Sequence, residues 1–203
     1  VRPDGEDLLM YPQGDVNAPP SARMPEGGYY FDSIIRQKPI VEEELDPKDN
    51  LEEFGRLSRR ELDHFAREID RIAGLGRSAV FVVPGAGLGD IALVPAPFLK
   101  HPKGIRDVEE WYVSLITRTG YIRTVFEKQT EQTLENLGLL YDVIGDRVDV
   151  AMVCGTDFGT QSSTFCSLET FNSLYLPFYQ KINNWIHDHT GWKTFKHSCG
   201  AVE

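Results

Sequence analysis

Two apolar runs place the strongest constraint on how this chain folds. Residues 79–83 read Ala-Val-Phe-Val-Val, and residues 148–153 read Val-Asp-Val-Ala-Met-Val. Runs of β-branched and other apolar residues are typical of strands that are buried on both faces of a parallel sheet. Stretches with helical spacing lie between and after these runs, so the sequence predicts alternating strands and helices.

Four helices are predicted from apolar residues that recur at helical spacing. The first opens with a capping box, in which Ser58 and Glu61 satisfy each other's free backbone donors. Pro177 lies inside the fourth pattern and predicts a kink or break near Ser173, because proline has no N–H to donate. The helices are predicted to begin after Ser58, at Asp107, at Tyr121 and after Ser167.

The repeated strand-helix pattern predicts an α/β fold, either a doubly wound sheet or a (β/α)8 barrel. Residues 1–45 are rich in proline, glycine and turn signals, and they are predicted to form a β-hairpin or loop-rich segment within one overall domain. Residues 46–203 are predicted to form the α/β part. In both α/β architectures the working residues lie at the C-terminal ends of the strands. The segments at those ends are residues 85–90, 154–161 and 197–200.

A histidine and a cysteine end the last predicted strand. His197 and Cys199 are two residues apart, so in a strand their side chains point to the same side. Imidazole and thiolate are both zinc ligands, and the spacing allows both to reach one ion. The alternative interpretation is a strand end with an ordinary polar histidine and a buried thiol.

Charge and composition restrict the partners and the compartment. The chain has 203 residues and a formal net charge of −10, which argues against nucleic acid or an anionic membrane surface as a partner. No apolar run reaches the ~20 residues of a membrane span. The three cysteines are an odd number, which favours a reducing cytoplasm over a disulfide framework.

Several motifs in the second half of the chain resemble the uroporphyrinogen decarboxylase superfamily. They are Val-Cys-Gly-Thr-Asp-Phe-Gly-Thr-Gln at 153–161, Ser-Leu-Glu-Thr-Phe at 167–171, Leu-Pro-Phe-Tyr at 176–179 and Lys-Thr-Phe-Lys-His-Ser-Cys-Gly-Ala-Val at 193–202. The resemblance runs from about Tyr29 to the end of the chain, is strongest after Asp107, and is closer to the cobalamin-dependent methyltransferases than to the decarboxylases.

This resemblance implies a fold, a cofactor and a partner. The fold would be a (β/α)8 barrel of the uroporphyrinogen decarboxylase type, here present only in part, without its N- and C-terminal portions. His197 and Cys199 would bind zinc, with a third ligand, a cysteine, further along than this chain extends. The reaction would move a methyl group from methylcobalamin, carried by a partner corrinoid protein, to a thiol or similar small-molecule acceptor.

Further roles near the predicted metal ligands stay open. Asp157 and Gln161 are predicted to orient the substrate or to hydrogen-bond a metal ligand, although Asp157 is equally suited to an Asx turn. Cys154 and Cys166 either complete the metal site or are a strand-end thiol and a loop thiol. The alternative function is a tetrapyrrole decarboxylase without metal, and a third hypothesis is a non-enzymatic segment that binds a partner.

Overall fold

The computed structural model describes residues 1–153 and 155–202. The chain divides into two compact units, one formed by Val1–Glu53 and Gly89–Ile122, the other by Phe54–Leu88 and Arg123–Glu203. The strands are β1 (Arg2–Asp4), β2 (Asp7–Met10), β3 (Ala22–Met24), β4 (Asp32–Ser33), β5 (Val80–Val82), β6 (Val150–Met152) and β7 (Lys193–Phe195). The helices are α1 (Arg59–Ala73), α2 (Val108–Thr117), α3 (Thr119–Ile144), α4 (Leu168–Thr170) and α5 (Leu176–His189), with a π-helical turn at Phe171–Tyr175 and 3-10 turns at Pro12–Gly14, Glu42–Glu44, Pro47–Leu51 and Gly145–Arg147.

In the first unit, β1 to β4 form an antiparallel sheet in sequential order. The turn between β1 and β2 contains Gly5 at a φ of 61°, a conformation that glycine adopts without steric cost. These strands lie inside residues 1–45, the segment predicted to be rich in hairpins and loops.

A buried arginine is the main polar anchor of the first unit. The Arg106 side chain is 2% exposed, and its guanidinium donates to both carboxylate oxygens of Glu53, at 2.7 and 3.1 Å. It also donates to the carbonyl oxygens of Asp49 and Lys103, at 2.6 and 2.5 Å. A buried charge is tolerated only when paired in this way.

In the second unit, β5, β6 and β7 form a parallel sheet in that order. Val80 pairs with Val150, which pairs with Lys193, and the same register brings Val82, Met152 and Phe195 together. The strands predicted at 79–83 and at 148–153 are therefore confirmed. The last predicted strand is present as β7, but it ends at Phe195 and does not include His197 and Cys199.

The core of the second unit lies against one face of this sheet. The Phe81 ring packs edge-on against Trp192, with 5.0 Å between ring centroids, and Trp192 Nε1 donates to the Gly145 carbonyl at 3.0 Å. Helices α3 and α5 contribute Leu137 and Ile182, both fully buried. Burial of these side chains is the main favourable free energy of this unit.

Two local helix predictions are confirmed in the second unit. Ser58 and Glu61 form the capping box of α1, with the Ser58 N–H donating to Glu61 Oε2 at 2.8 Å. The predicted irregularity before Pro177 is the π-helical turn at Phe171–Tyr175. Such turns place an extra residue in the helix and are frequent at functional sites.

The predicted partial (β/α)8 barrel is wrong. The described residues form a small mixed α/β structure with one antiparallel and one parallel sheet, without a closed barrel or an eightfold repeat. A (β/α)8 barrel closes with eight tilted strands, whereas the parallel sheet of the described residues has three strands of three residues each. Its second face is open, since Val82 and Phe195 are 60% and 52% exposed. Apolar runs indicate a preference for burial. They do not determine how many strands a sheet contains, or whether a second layer of helices covers it.

None of the helices in the described part of the chain is long and apolar enough to cross a bilayer.

Candidate metal centre

The candidate site lies at the C-terminal ends of β6 and β7 in the second unit. Asp157 follows β6 by five residues, and His197 and Cys199 follow β7 by two and four. Because β6 and β7 are parallel neighbours, these ends meet at one edge of the sheet. The structure therefore brings together the two predicted metal ligands and one of the two predicted substrate-binding residues.

Three donor groups form a compact cluster at this edge. One ligand atom each from Asp157, His197 and Cys199 all lie within 4.8 Å of one another. His197 Nε2 is 3.0 Å from Cys199 Sγ, and the Cys199 backbone N–H donates to Asp157 Oδ1 at 2.8 Å. Asp157 is half-buried, whereas His197 and Cys199 are exposed, so solvent reaches the cluster.

Two glycines allow the loops that carry these groups to approach closely. Gly200 follows Cys199 at a φ of 96°, and a Cβ there would clash with the Gly159 carbonyl oxygen. A Cβ at Gly159 would lie 2.6 Å from the Ala201 carbonyl oxygen. The Ala201 N–H donates to the Thr160 carbonyl at 2.7 Å, which fixes the contact. The close approach of the two backbones thus depends on both glycines.

The carboxylate controls the protonation of the thiol. A side-chain hydrogen bond with Asp157 raises the pKa of Cys199, because it favours the thiol over a second negative charge beside the carboxylate. A divalent cation would reverse this preference, since it attracts both anions. The cluster is therefore electrostatically suited to a cation and poorly suited to a free thiolate.

The chemistry of the donors fits zinc. Nitrogen, sulfur and carboxylate oxygen are the zinc donors of proteins, and three tetrahedral ligands lie about 3.3–3.6 Å apart. The 3.0 Å between His197 Nε2 and Cys199 Sγ is slightly shorter than this spacing, whereas the 4.8 Å within which all three donor atoms lie is longer, so the donors would draw together around an ion. Three protein ligands leave a fourth position open, as in catalytic zinc sites.

The remaining predicted site residues are Gln161, Cys166 and Cys154. Gln161 is exposed, in the bend between Thr160 and Ser163. Cys166 is half-buried, and burial raises the pKa of its thiol. Cys154 lies outside the described residues.

The third loop predicted at the strand ends, residues 85–90, is held in part by a side chain of helix α3. The buried Gln129 side chain donates from Nε2 to the carbonyl oxygens of Gly85 and Gly87, at 2.7 and 3.2 Å. The carbonyl of Leu88, in the same loop, accepts a hydrogen bond of 3.2 Å from Thr156 Oγ1. The sequence predicted that this loop lies near the other two, but it gave no signal for Gln129 or Thr156.

Comparisons with known proteins identify no relative. No family model matches the chain, and neither the curated proteins nor the solved structures contain a significant match.

Proposed function

We propose that Asp157, His197 and Cys199 hold a zinc ion and that the protein transfers a methyl group from a methylated corrinoid to a thiol acceptor. The observation that carries the proposal is the cluster of three donor atoms within 4.8 Å at the C-terminal edge of the parallel sheet. The motif resemblance of residues 153–202 supports the choice of reaction. Asp157 as a ligand departs from the ligand set that the resemblance implies.

When bound, zinc supplies a Lewis acid that stabilises an acceptor thiolate relative to the thiol. His197 and Cys199 contribute the neutral nitrogen and the anionic sulfur, and Asp157 contributes a second negative charge. In the net reaction the acceptor thiol loses its proton, and its sulfur gains the methyl group that the corrinoid loses.

The side chains around the cluster define the approach of the acceptor. His197 and Cys199 are exposed, so an acceptor reaches the ion from the solvent side. On the protein side, the Phe158 ring packs against Phe171 and Tyr175, with centroid distances of 5.1 and 5.0 Å. Phe158 directly follows Asp157, so these rings form an aromatic cluster beside that residue. The corrinoid would be presented by a separate protein, which is the proposed partner.

Metal analysis tests the first half of the proposal. We expect about one zinc per chain in the purified protein, lost in His197→Ala and in Cys199→Ala. Asp157→Ala is expected to bind zinc more weakly. His64→Ala and Cys166→Ala are matched controls, because these residues lie outside the cluster. Full zinc content in both ligand variants rejects the site.

A methyl-transfer assay tests the second half. The zinc-loaded protein, supplied with methylcobalamin and a small thiol, should yield an S-methyl product that mass spectrometry detects, and Cys199→Ala should yield none. Bound zinc without S-methyl product rejects the reaction and leaves the metal site. Release of CO₂ from a tetrapyrrole carboxylate by the zinc-free protein would favour the decarboxylase instead.

A further inference from the structure

Tyr179 contacts the sequence neighbours of two of the three proposed ligands. It lies in α5, is 3% exposed, and donates from its hydroxyl to Thr156 Oγ1 at 2.9 Å. Thr156 is 1% exposed and immediately precedes Asp157. Its own hydroxyl donates to the Leu88 carbonyl at 3.2 Å, so two buried hydrogen bonds in series fix the backbone next to Asp157.

The ring of Tyr179 contacts the residue on the other side of Asp157. Phe158 packs edge-on against this ring, with 6.4 Å between centroids. Asp157 is therefore flanked by two residues that one tyrosine contacts, Thr156 through the hydroxyl and Phe158 through the ring. Such contacts restrict the directions in which the carboxylate points.

The same ring contacts the loop that follows β7. The Lys196 ammonium lies 4.9 Å from the centroid of Tyr179 and 4.8 Å from that of Phe158, within the range of a cation–π interaction. Lys196 immediately precedes His197. Tyr179 thus joins the two loops that carry the proposed ligands, although it contributes no ligand atom.

We propose that Tyr179 is the positioning residue of the metal site and that its hydroxyl, acting through Thr156, holds Asp157 in its ligand geometry. This inference rests on the proposed zinc site. Residues that orient metal ligands typically change metal affinity 10- to 100-fold when mutated, without being ligands themselves. Tyr179 acts one residue further out, through Thr156, Phe158 and Lys196, the sequence neighbours of Asp157 and His197.

The test compares hydroxyl deletions at two tyrosines. Tyr179→Phe keeps the ring and removes the hydroxyl that donates to Thr156, and we expect zinc affinity, measured by competition with a chelator, to fall about tenfold. Tyr141→Phe is the control, because its hydroxyl donates to Asp146 at 3.2 Å, before the start of β6, whereas the site follows the C-terminal ends of β6 and β7. In the Co²⁺-loaded protein, Tyr179→Phe should shift the visible absorption bands, and Tyr141→Phe should not.

Variants at Thr156 separate positioning from packing. Thr156→Val preserves the side-chain shape but removes the hydroxyl, so it should weaken zinc binding at least as much as Tyr179→Phe. Thr156→Ser retains the hydroxyl and should restore most of the affinity. The Tyr179→Phe/Thr156→Val double variant should match Thr156→Val alone, because both changes break one chain of hydrogen bonds.

The outcomes distinguish this inference from the proposed function. Wild-type affinity and an unchanged Co²⁺ spectrum in Tyr179→Phe overturn the positioning role while zinc binding by the wild type stands. Equal weakening in Tyr179→Phe and Tyr141→Phe also overturns it, since the loss would then be general. Absence of zinc binding in the wild type rejects the site and the inference together.

Discussion

The guanidinium of Arg123 donates a hydrogen bond of 3.1 Å to the carbonyl oxygen of Ser173, four residues before Pro177. That carbonyl would accept the i+4 N–H in an α-helix, and Pro177 has none. Arg123 therefore supplies the donor that the proline lacks. The irregular turn places Phe171 and Tyr175 in a stack, with 6.2 Å between ring centroids, and both rings contact Phe158.

Removal of this donor should destabilise the π-helical turn. We expect Arg123→Ala to lower the free energy of unfolding by roughly 1 kcal/mol, because the Ser173 carbonyl loses a charged hydrogen-bond partner. Arg60→Ala, on the exposed face of α1, is the control and should change stability by less than about 0.5 kcal/mol. Urea unfolding measures both. Equal effects would show that Arg123 acts only through general surface charge.

A methyl group at Gly200 should abolish zinc binding. The positive φ disfavours any L-residue, and the new Cβ would clash with the Gly159 carbonyl, so the loop that carries Cys199 must move away from the Asp157 loop. Gly76→Ala is the matched control, because Gly76 also has a positive φ, 62°, but a Cβ there meets nothing within 4 Å. It should cost about 1 kcal/mol of stability and leave zinc affinity unchanged. Tight zinc binding by Gly200→Ala would contradict the described loop contact.

The capping box of α1 should give a pH-dependent contribution to stability. The hydrogen bond from Ser58 lowers the pKa of Glu61 below its usual value. A carboxyl with a depressed folded pKa stabilises the fold above its unfolded pKa, and this contribution is lost as the pH falls through the folded pKa. Ser58→Ala should therefore cost about 1 kcal/mol near neutral pH and less in acid. Urea unfolding at about pH 7 and about pH 3 measures the difference; a constant difference would mean that Glu61 does not contribute.

Arg106 should matter far more to stability than a surface arginine. Arg106→Ala leaves the Glu53 carboxylate without its main partner and opens a buried space, so we expect a loss of about 3–5 kcal/mol. Arg71→Ala removes an exposed ion pair with Glu68 and should cost less than about 1 kcal/mol. Thermal or urea unfolding compares the two variants. A similar small loss at both positions would show that water enters the Arg106 site readily.

Local patterns predicted the parts of the structure that local chemistry decides. The capping box at Ser58, the strand at residues 79–83 and the irregularity before Pro177 each follow from a few neighbouring side chains. His197 Nε2 and Cys199 Sγ lie 3.0 Å apart, but both residues follow the end of β7, so the spacing rule for a strand does not account for their contact. The proximity of Asp157 follows from the rule that parallel strands end at a common edge.

The predictions that failed concern features that depend on contacts between distant segments of the chain. The apolar residues of β5 predicted burial on both faces, but Val80 and Val82 are exposed because no layer in the described chain covers them. A repeated strand-helix pattern likewise does not determine how many strands a sheet contains. The hydrogen bond between Tyr179 and Thr156 joins residues 23 positions apart, and neither residue type signals it.

The interlocked glycines have a consequence for recognising such sites in other chains. Asp157 is followed after one residue by Gly159, and Cys199 is followed directly by Gly200. A chain that retained all three donors but carried a side chain at either glycine could not bring its donors together. The pattern Asp-x-Gly followed by His-x-Cys-Gly is therefore a more selective signature than the donors alone, and it can be searched for without a structure.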